Sequence, residues 1–89
     1  MASYKIEWKR SAVKDLKKLP PETIKRILVT VESLAENPLP GGVKKLAGAQ
    51  HTYRVREGAY QIIYNVLSDT VVVEIIKVGH RKDVYRQQP

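Results

Sequence analysis

The strongest constraint on the fold lies in the second half of the chain. There, three strand-like runs, residues 52–56, 60–67 and 71–78, follow one another with only short turns between them. Parallel neighbours need a crossover of a dozen or more residues, so runs this close must turn back on themselves as an antiparallel meander. Gly58 after Glu57 supplies the first turn, and Ser68, Asp69 and Thr70 supply the second, all residue types suited to turn geometry.

A meander of this kind needs a layer to bury one of its faces, and the first half of the chain provides it. Tyr4, Ile6 and Trp8 alternate with Lys5, Glu7 and Lys9, the period of a strand with one buried side. Ser11 is expected to cap a short helix carrying Ala12, Val13, Leu16 and Leu19 at helical spacing, which Pro20 and Pro21 stop. Pro21 costs no hydrogen bond in a first turn and so opens a second helix. In that helix Ile24, Ile27, Leu28, Val31, Leu34 and Ala35 form an apolar stripe ending before Asn37 and Pro38. Residues 38–49, with two prolines and three glycines, read as a loop in which Val43 and Leu46 are the side chains suited to reach the core. The expected fold class is α+β: a small single domain over residues 1–89, with a strand, a helical hairpin and a three-stranded antiparallel meander, the helices packed on one face of a twisted sheet. Whether the first strand lies beside the third meander strand or at another outer edge is left open.

Charge narrows the partners. Sixteen Lys and Arg against nine Asp and Glu give a net charge of +7, which attracts polyanions or acidic protein surfaces. The cations cluster as Lys9, Arg10, Lys14, Lys17 and Lys18, then Lys44, Lys45, Arg54 and Arg56, then Lys77, Arg81, Lys82 and Arg86. The absence of cysteine excludes disulfides, thiolate ligands and a cysteine nucleophile. His51 and His80 are isolated and there is no Cys or HxxE-type spacing, so no metal and no cofactor are expected. No run approaches the roughly 18 apolar residues of a membrane span, and the first ten residues lack a signal-peptide core, so the expected location is cytoplasmic with no membrane partner.

Strand alternation places Arg54 and Arg56 on one face, about 7 Å apart, and Tyr53 and Val55 on the other. In the next run Tyr60, Ile62, Tyr64 and Val66 form the more apolar register, so Gln61, with Ile63 and Asn65, is expected to join the arginines. After the third run come His80, Arg81 and Tyr85. An imidazole, a permanent cation and a phenol suit a phosphodiester substrate better than an apolar one. Trp8, Tyr4, Tyr53 and Tyr64 are expected in the core.

The order of elements resembles the RelE/ParE toxin superfamily, closer to its RelE branch. The segments that carry the resemblance are Lys44-Lys45-Leu46-Ala47-Gly48, Tyr53-Arg54-Val55-Arg56-Glu57-Gly58-Ala59-Tyr60-Gln61-Ile62-Ile63-Tyr64, and Val78-Gly79-His80-Arg81-Lys82-Asp83-Val84-Tyr85. The resemblance implies a toxin-antitoxin toxin: a small endoribonuclease that enters the ribosomal A site, cleaves the bound mRNA, halts translation and is neutralised by a cognate antitoxin wrapped around it. Operator DNA would be bound only through the antitoxin complex. Cleavage would need no metal. The ribose 2′-hydroxyl would attack the adjacent phosphate, leaving a cyclic phosphate and a free 5′-hydroxyl, with a base, an acid and cations to stabilise the phosphorane.

By the same resemblance Arg81 would serve the transition-state phosphate, Arg54 and Arg56 phosphate orientation and charge, and Tyr85 base stacking with proton transfer as a second use. Lys45, Gln61 and Lys82 would contact the substrate. Many relatives carry an arginine where Gln61 stands, and Gln61 cannot supply its charge; one lost transition-state contact costs about 3 kcal/mol, a hundredfold in rate. Arginine at positions 54 and 56 scarcely acts as a base, which makes His80 a candidate substitute and leaves the identity of the base open. Two alternatives stand beside this expectation: a ParE-like poison of DNA gyrase, and a catalytically weakened homologue acting through antitoxin and operator DNA.

Overall fold

The computed structural model describes residues 3–81. Its elements run β1 (Lys5–Trp8), α1 (Arg10–Lys17), α2 (Pro21–Glu36), β2 (Lys44–Lys45), β3 (Thr52–Glu57), β4 (Tyr60–Leu67) and β5 (Val72–His80). They form a five-stranded sheet in the order β1-β5-β4-β3-β2. The pairs β2–β3, β3–β4 and β4–β5 are antiparallel, as the short turns require, and β1 pairs with β5 in parallel. The first strand is therefore both an outer edge and the neighbour of the last strand.

Both helices lie on one face. Ala12 of α1 and Ile27, Val31 and Leu34 of α2 are buried against Ile62, Tyr64, Val66, Val73, Ile75 and Val78, with Tyr4, Ile6, Trp8, Tyr53 and Val55 packed around them. The apolar register of β4 thus meets the helices, as its pattern demands. Tyr64 is the largest fully buried side chain; its hydroxyl donates to the Pro38 carbonyl at 2.7 Å, pinning the loop that leads into β2. Burial, with a smaller contribution from Tyr53, pushes the Tyr64 phenol well above its ordinary pKa.

Several expectations are corrected. Ser11 does not cap α1: Lys9 occupies the N-cap position without a side-chain bond, and Ser11 Oγ instead donates to the Ile76 carbonyl at 3.0 Å. Leu28 belongs to the helical stripe by spacing but is 38% exposed, because the buried face of α2 is narrowed to Ile27, Val31 and Leu34. Residues 38–49 contain a strand, β2, too short to show a period in sequence and made by pairing Lys44 with Arg54 and Lys45 with Tyr53. The last strand runs on to His80, and Val71 belongs to the turn, with φ of 57°. A β-branched residue rarely adopts that conformation. Its carbonyl accepts the Lys5 N–H at 2.9 Å, which ties the turn to β1. No helix among the described residues is long and apolar enough to cross a membrane.

Candidate active face

The sheet face turned away from the helices is ordered into rows by strand register, because directly paired residues project to the same side. The first row, at the end of the β3–β4 turn, holds Arg56, Gln61 and Gly79. The second holds Lys44, Arg54, Ile63 and Lys77. The third holds Thr52, Asn65, Glu74 and Glu7.

Arg54 and Arg56 fall where alternation places them, and Arg81 reaches the same end of the sheet, its N–H donating to the Ala59 carbonyl at 3.0 Å. Gln61 does share the arginine face, beside Arg56, but it is only 1% exposed, and among the described residues neither its Oε1 nor its Nε2 has a hydrogen-bond partner. A buried carboxamide left unsatisfied costs roughly 1–3 kcal/mol, so this position is a polar group held in reserve and not a solvated contact.

Four of the expected site residues are placed elsewhere or lie beyond reach. His80 pairs with Tyr60, on the side of Ile62 and Val78, and its ring meets the Tyr60 ring edge-on at 5.6 Å. The structure therefore brings His80 to the helix side and not to the arginines: it is the terminal residue of β5, and one step along a strand reverses the side. Lys45 pairs with Tyr53 and shares its side, leaving Lys44 as the lysine beside Arg54. Sequence reasoning had no signal to choose between the two lysines before the β2–β3 register was known. Lys82 and Tyr85 lie outside the described residues.

Lys77 was also missed as a member of this face. The third row is a hydrogen-bonded ladder: Thr52 Oγ1 donates to Asn65 Oδ1 at 2.6 Å, and Asn65 Nδ2 donates to Glu74 Oε1 at 3.0 Å. Lys9 Nζ closes it on Glu74 Oε2 at 3.4 Å. The Asn65 bond holds the Glu74 carboxyl below its usual pKa; partial burial opposes the shift, while Lys9 and, less strongly, His51 reinforce it. The acidic groups are thus gathered and neutralised at one end of the face, while cations occupy the other two rows. Such an arrangement can orient and charge-stabilise a phosphodiester. Among the described residues, no cluster of three or more His, Cys, Asp or Glu could hold a metal ion.

A family model described as ParE toxin of type II toxin-antitoxin system, parDE, matches residues 6–85. Toxin RelE3 of Methanocaldococcus jannaschii is 36% identical over 89 residues, covering 96% of this chain and 99% of the relative. The archaeal RelE in a RelE-RelB complex from Pyrococcus horikoshii superposes with a TM-score of 0.79 at 32% identity, over 89% of this chain and 96% of that one. The RelBE2 toxin-antitoxin complex of Mycobacterium tuberculosis gives a TM-score of 0.80 at 28% identity, over 91% and 94% of the two chains.

Proposed function

This chain belongs to the RelE/ParE family of type II toxin-antitoxin toxins, on its RelE branch, and from that premise we propose that it is a ribosome-dependent mRNA endoribonuclease whose active face is the cationic side of the sheet. The observation that supports the reading is that Arg54 and Arg56 share one face, that the Arg81 backbone is bonded to Ala59 at its β3–β4 end, and that the carboxylates of that face lie in a separate row. A site that must hold a polyanion and stabilise a further developing charge is served by such a segregation.

Cleavage proceeds by attack of the ribose 2′-oxygen on the adjacent phosphorus as the P–O5′ bond breaks. The 2′ proton goes to a base, the 5′-oxygen takes a proton from an acid, and a 2′,3′-cyclic phosphate is left. Arg81 bears on the phosphorane, and Arg54 and Arg56 orient the phosphate. Tyr85 stacks on a base. The base is not assigned to His80, because its ring packs against Tyr60 on the other side of the sheet. Gln61 replaces a charge with a neutral amide and attenuates the rate.

The solved relatives named above are toxin-antitoxin complexes with RelB, which supports a cognate antitoxin as the partner; operator DNA is reached through that complex. The relatives are RelE proteins, which does not favour a gyrase-directed activity. Primer extension on ribosome-bound mRNA tests the proposal. Cuts within the A-site codon that vanish with Arg81→Ala support it, and translation arrest without cut message sinks it.

A further inference from the structure

Ile75 and Val78 are three residues apart on β5, yet both are buried against the helices, at 0% and 2% exposure. Strict alternation would put them on opposite sides. They share one because Tyr64 pairs with Ile75 and Ile63 pairs with Lys77, leaving Ile76 as an extra residue in a β-bulge. A bulge disrupts the ladder locally, and here α1 supplies partners. Ser11 Oγ donates to the Ile76 carbonyl at 3.0 Å, and the Val78 N–H donates to Asp15 Oδ2 at 3.2 Å. The helix thus clamps the bulge from the buried side. On the far side the consequence is a reversal of Lys77. If the Tyr64–Ile75 register ran on through Ile76 with no bulge, Lys77 would oppose Ile62 and point at the helices; with the bulge, Lys77 opposes Ile63 and lines up with Arg54 and Lys44.

That row crosses four strands, roughly 14 Å at ~4.8 Å per strand. Among the described residues neither Lys44 nor Lys77 has an ion-pair partner, whereas Lys5 and Lys9, at the β1 edge, are paired with Glu7 at 3.8 Å and Glu74 at 3.4 Å. We infer that Lys44 and Lys77 bind backbone phosphates of single-stranded RNA on either side of Arg54, with Lys77 set in place by the bulge that Ser11 and Asp15 hold. The inference extends the proposed nuclease site and takes its substrate class from it. Lysine suits the task because a phosphate backbone needs spaced point charges and no fixed fork geometry. Ser11 and Asp15 are positioning residues, acting only through Lys77.

The test is a salt titration of the purified protein binding a fluorescent single-stranded oligoribonucleotide, read as the slope of log K against log salt. Each phosphate contact on a single strand contributes about 0.7 to that slope. Lys44→Gln and Lys77→Gln should each lower it by about 0.7, the double variant by about 1.4, and Lys77→Arg should restore it. Lys25→Gln, on α2, should leave it unchanged. Asp15→Ala makes the protein more positive, so a charge effect alone would tighten binding; displacement of Lys77 instead lowers the slope, and adds nothing when Lys77 is already Gln. A double variant that keeps the wild-type slope, or a wild type that binds no better than the double variant, overturns the inference. So does a double variant that loses binding to poly-L-glutamate while keeping its RNA slope, because the row then serves an acidic protein segment. Loss of the slope in the variants of a protein that cuts no ribosome-bound message would instead overturn the nuclease and leave the RNA row standing.

Discussion

The two faces of this sheet are made by the same strands, one residue out of step, and they solve opposite problems. On the helix side, Ile62, Tyr64, Val73 and Ile75 are fully buried and every large group has found its neighbours; Tyr64 even places its hydroxyl on the Pro38 carbonyl. On the far side, Gln61 is as deeply buried but has no hydrogen-bond partner among the described residues, and among those residues Lys44 and Lys77 stand without a paired carboxylate. Apolar burial stabilises one side at about 25 cal/mol per Å². The other side gives up stability through an orphaned amide and like-charge crowding. Stability forgone at a particular place is a common mark of a functional site. The contrast teaches that the helix face makes the fold and the far face uses it.

That division can be broken by substitution. The largest effect is expected at the core: Ile62→Ala should lower the unfolding free energy by about 2–5 kcal/mol through lost burial and a residual cavity. Urea unfolding measures it, and the salt slope of RNA binding by the folded fraction should not move. Arg81→Ala should show the reverse pattern, with cleavage of ribosome-bound mRNA lowered about a hundredfold, some 3 kcal/mol of barrier, and a midpoint of unfolding close to the wild type's. An Arg81→Ala protein that unfolds as readily as Ile62→Ala would erase the distinction between the faces.

Gln61→Leu sharpens the comparison at a single position. Replacing the orphaned carboxamide with an apolar group of similar size should raise stability by about 1 kcal/mol, while cleavage stays the same or falls. A loss of stability would mean that the amide is satisfied in solution. The smallest effect belongs to Glu74. Its carboxyl titrates below the ordinary value of 4.5 in the folded protein, so the stability it contributes is present above about that pH and is lost as pH falls through the depressed folded value. Glu74→Gln should therefore flatten the acid limb of a stability profile measured from pH 7 to 3; an unchanged limb would remove the ladder from Thr52 to Lys9 as its cause.

Much of the fold was legible because its signals are local. Turn length dictated the antiparallel meander, Pro21 marked the start of α2, and alternation separated Arg54 and Arg56 from Tyr53 and Val55. The site was legible only where it used that same alternation. Lys44 against Lys45 depends on how a two-residue strand meets β3. The side taken by His80 depends on its pairing with Tyr60, and neither spacing nor composition encodes a pairing across twenty residues. Ser11 looked like a cap because a serine before an apolar run usually is one; here a bulged carbonyl was the better acceptor within reach.

The order of elements, the apolar registers that meet the helices, the excess of positive charge and the face on which two arginines stand are already written in the residue pattern. Each follows from residue type and a period of two or 3.6 within one segment. The tertiary structure alone decided the burial of Gln61, the parallel docking of β1 on β5, and the bulge at Ile76 that turns Lys77 toward Arg54. Those depend on hydrogen bonds between segments distant in the chain. When α1 satisfies the backbone of a single extra residue in β5, it shifts the phase of everything beyond it, and a lysine that alternation would assign to the core side joins the cationic row.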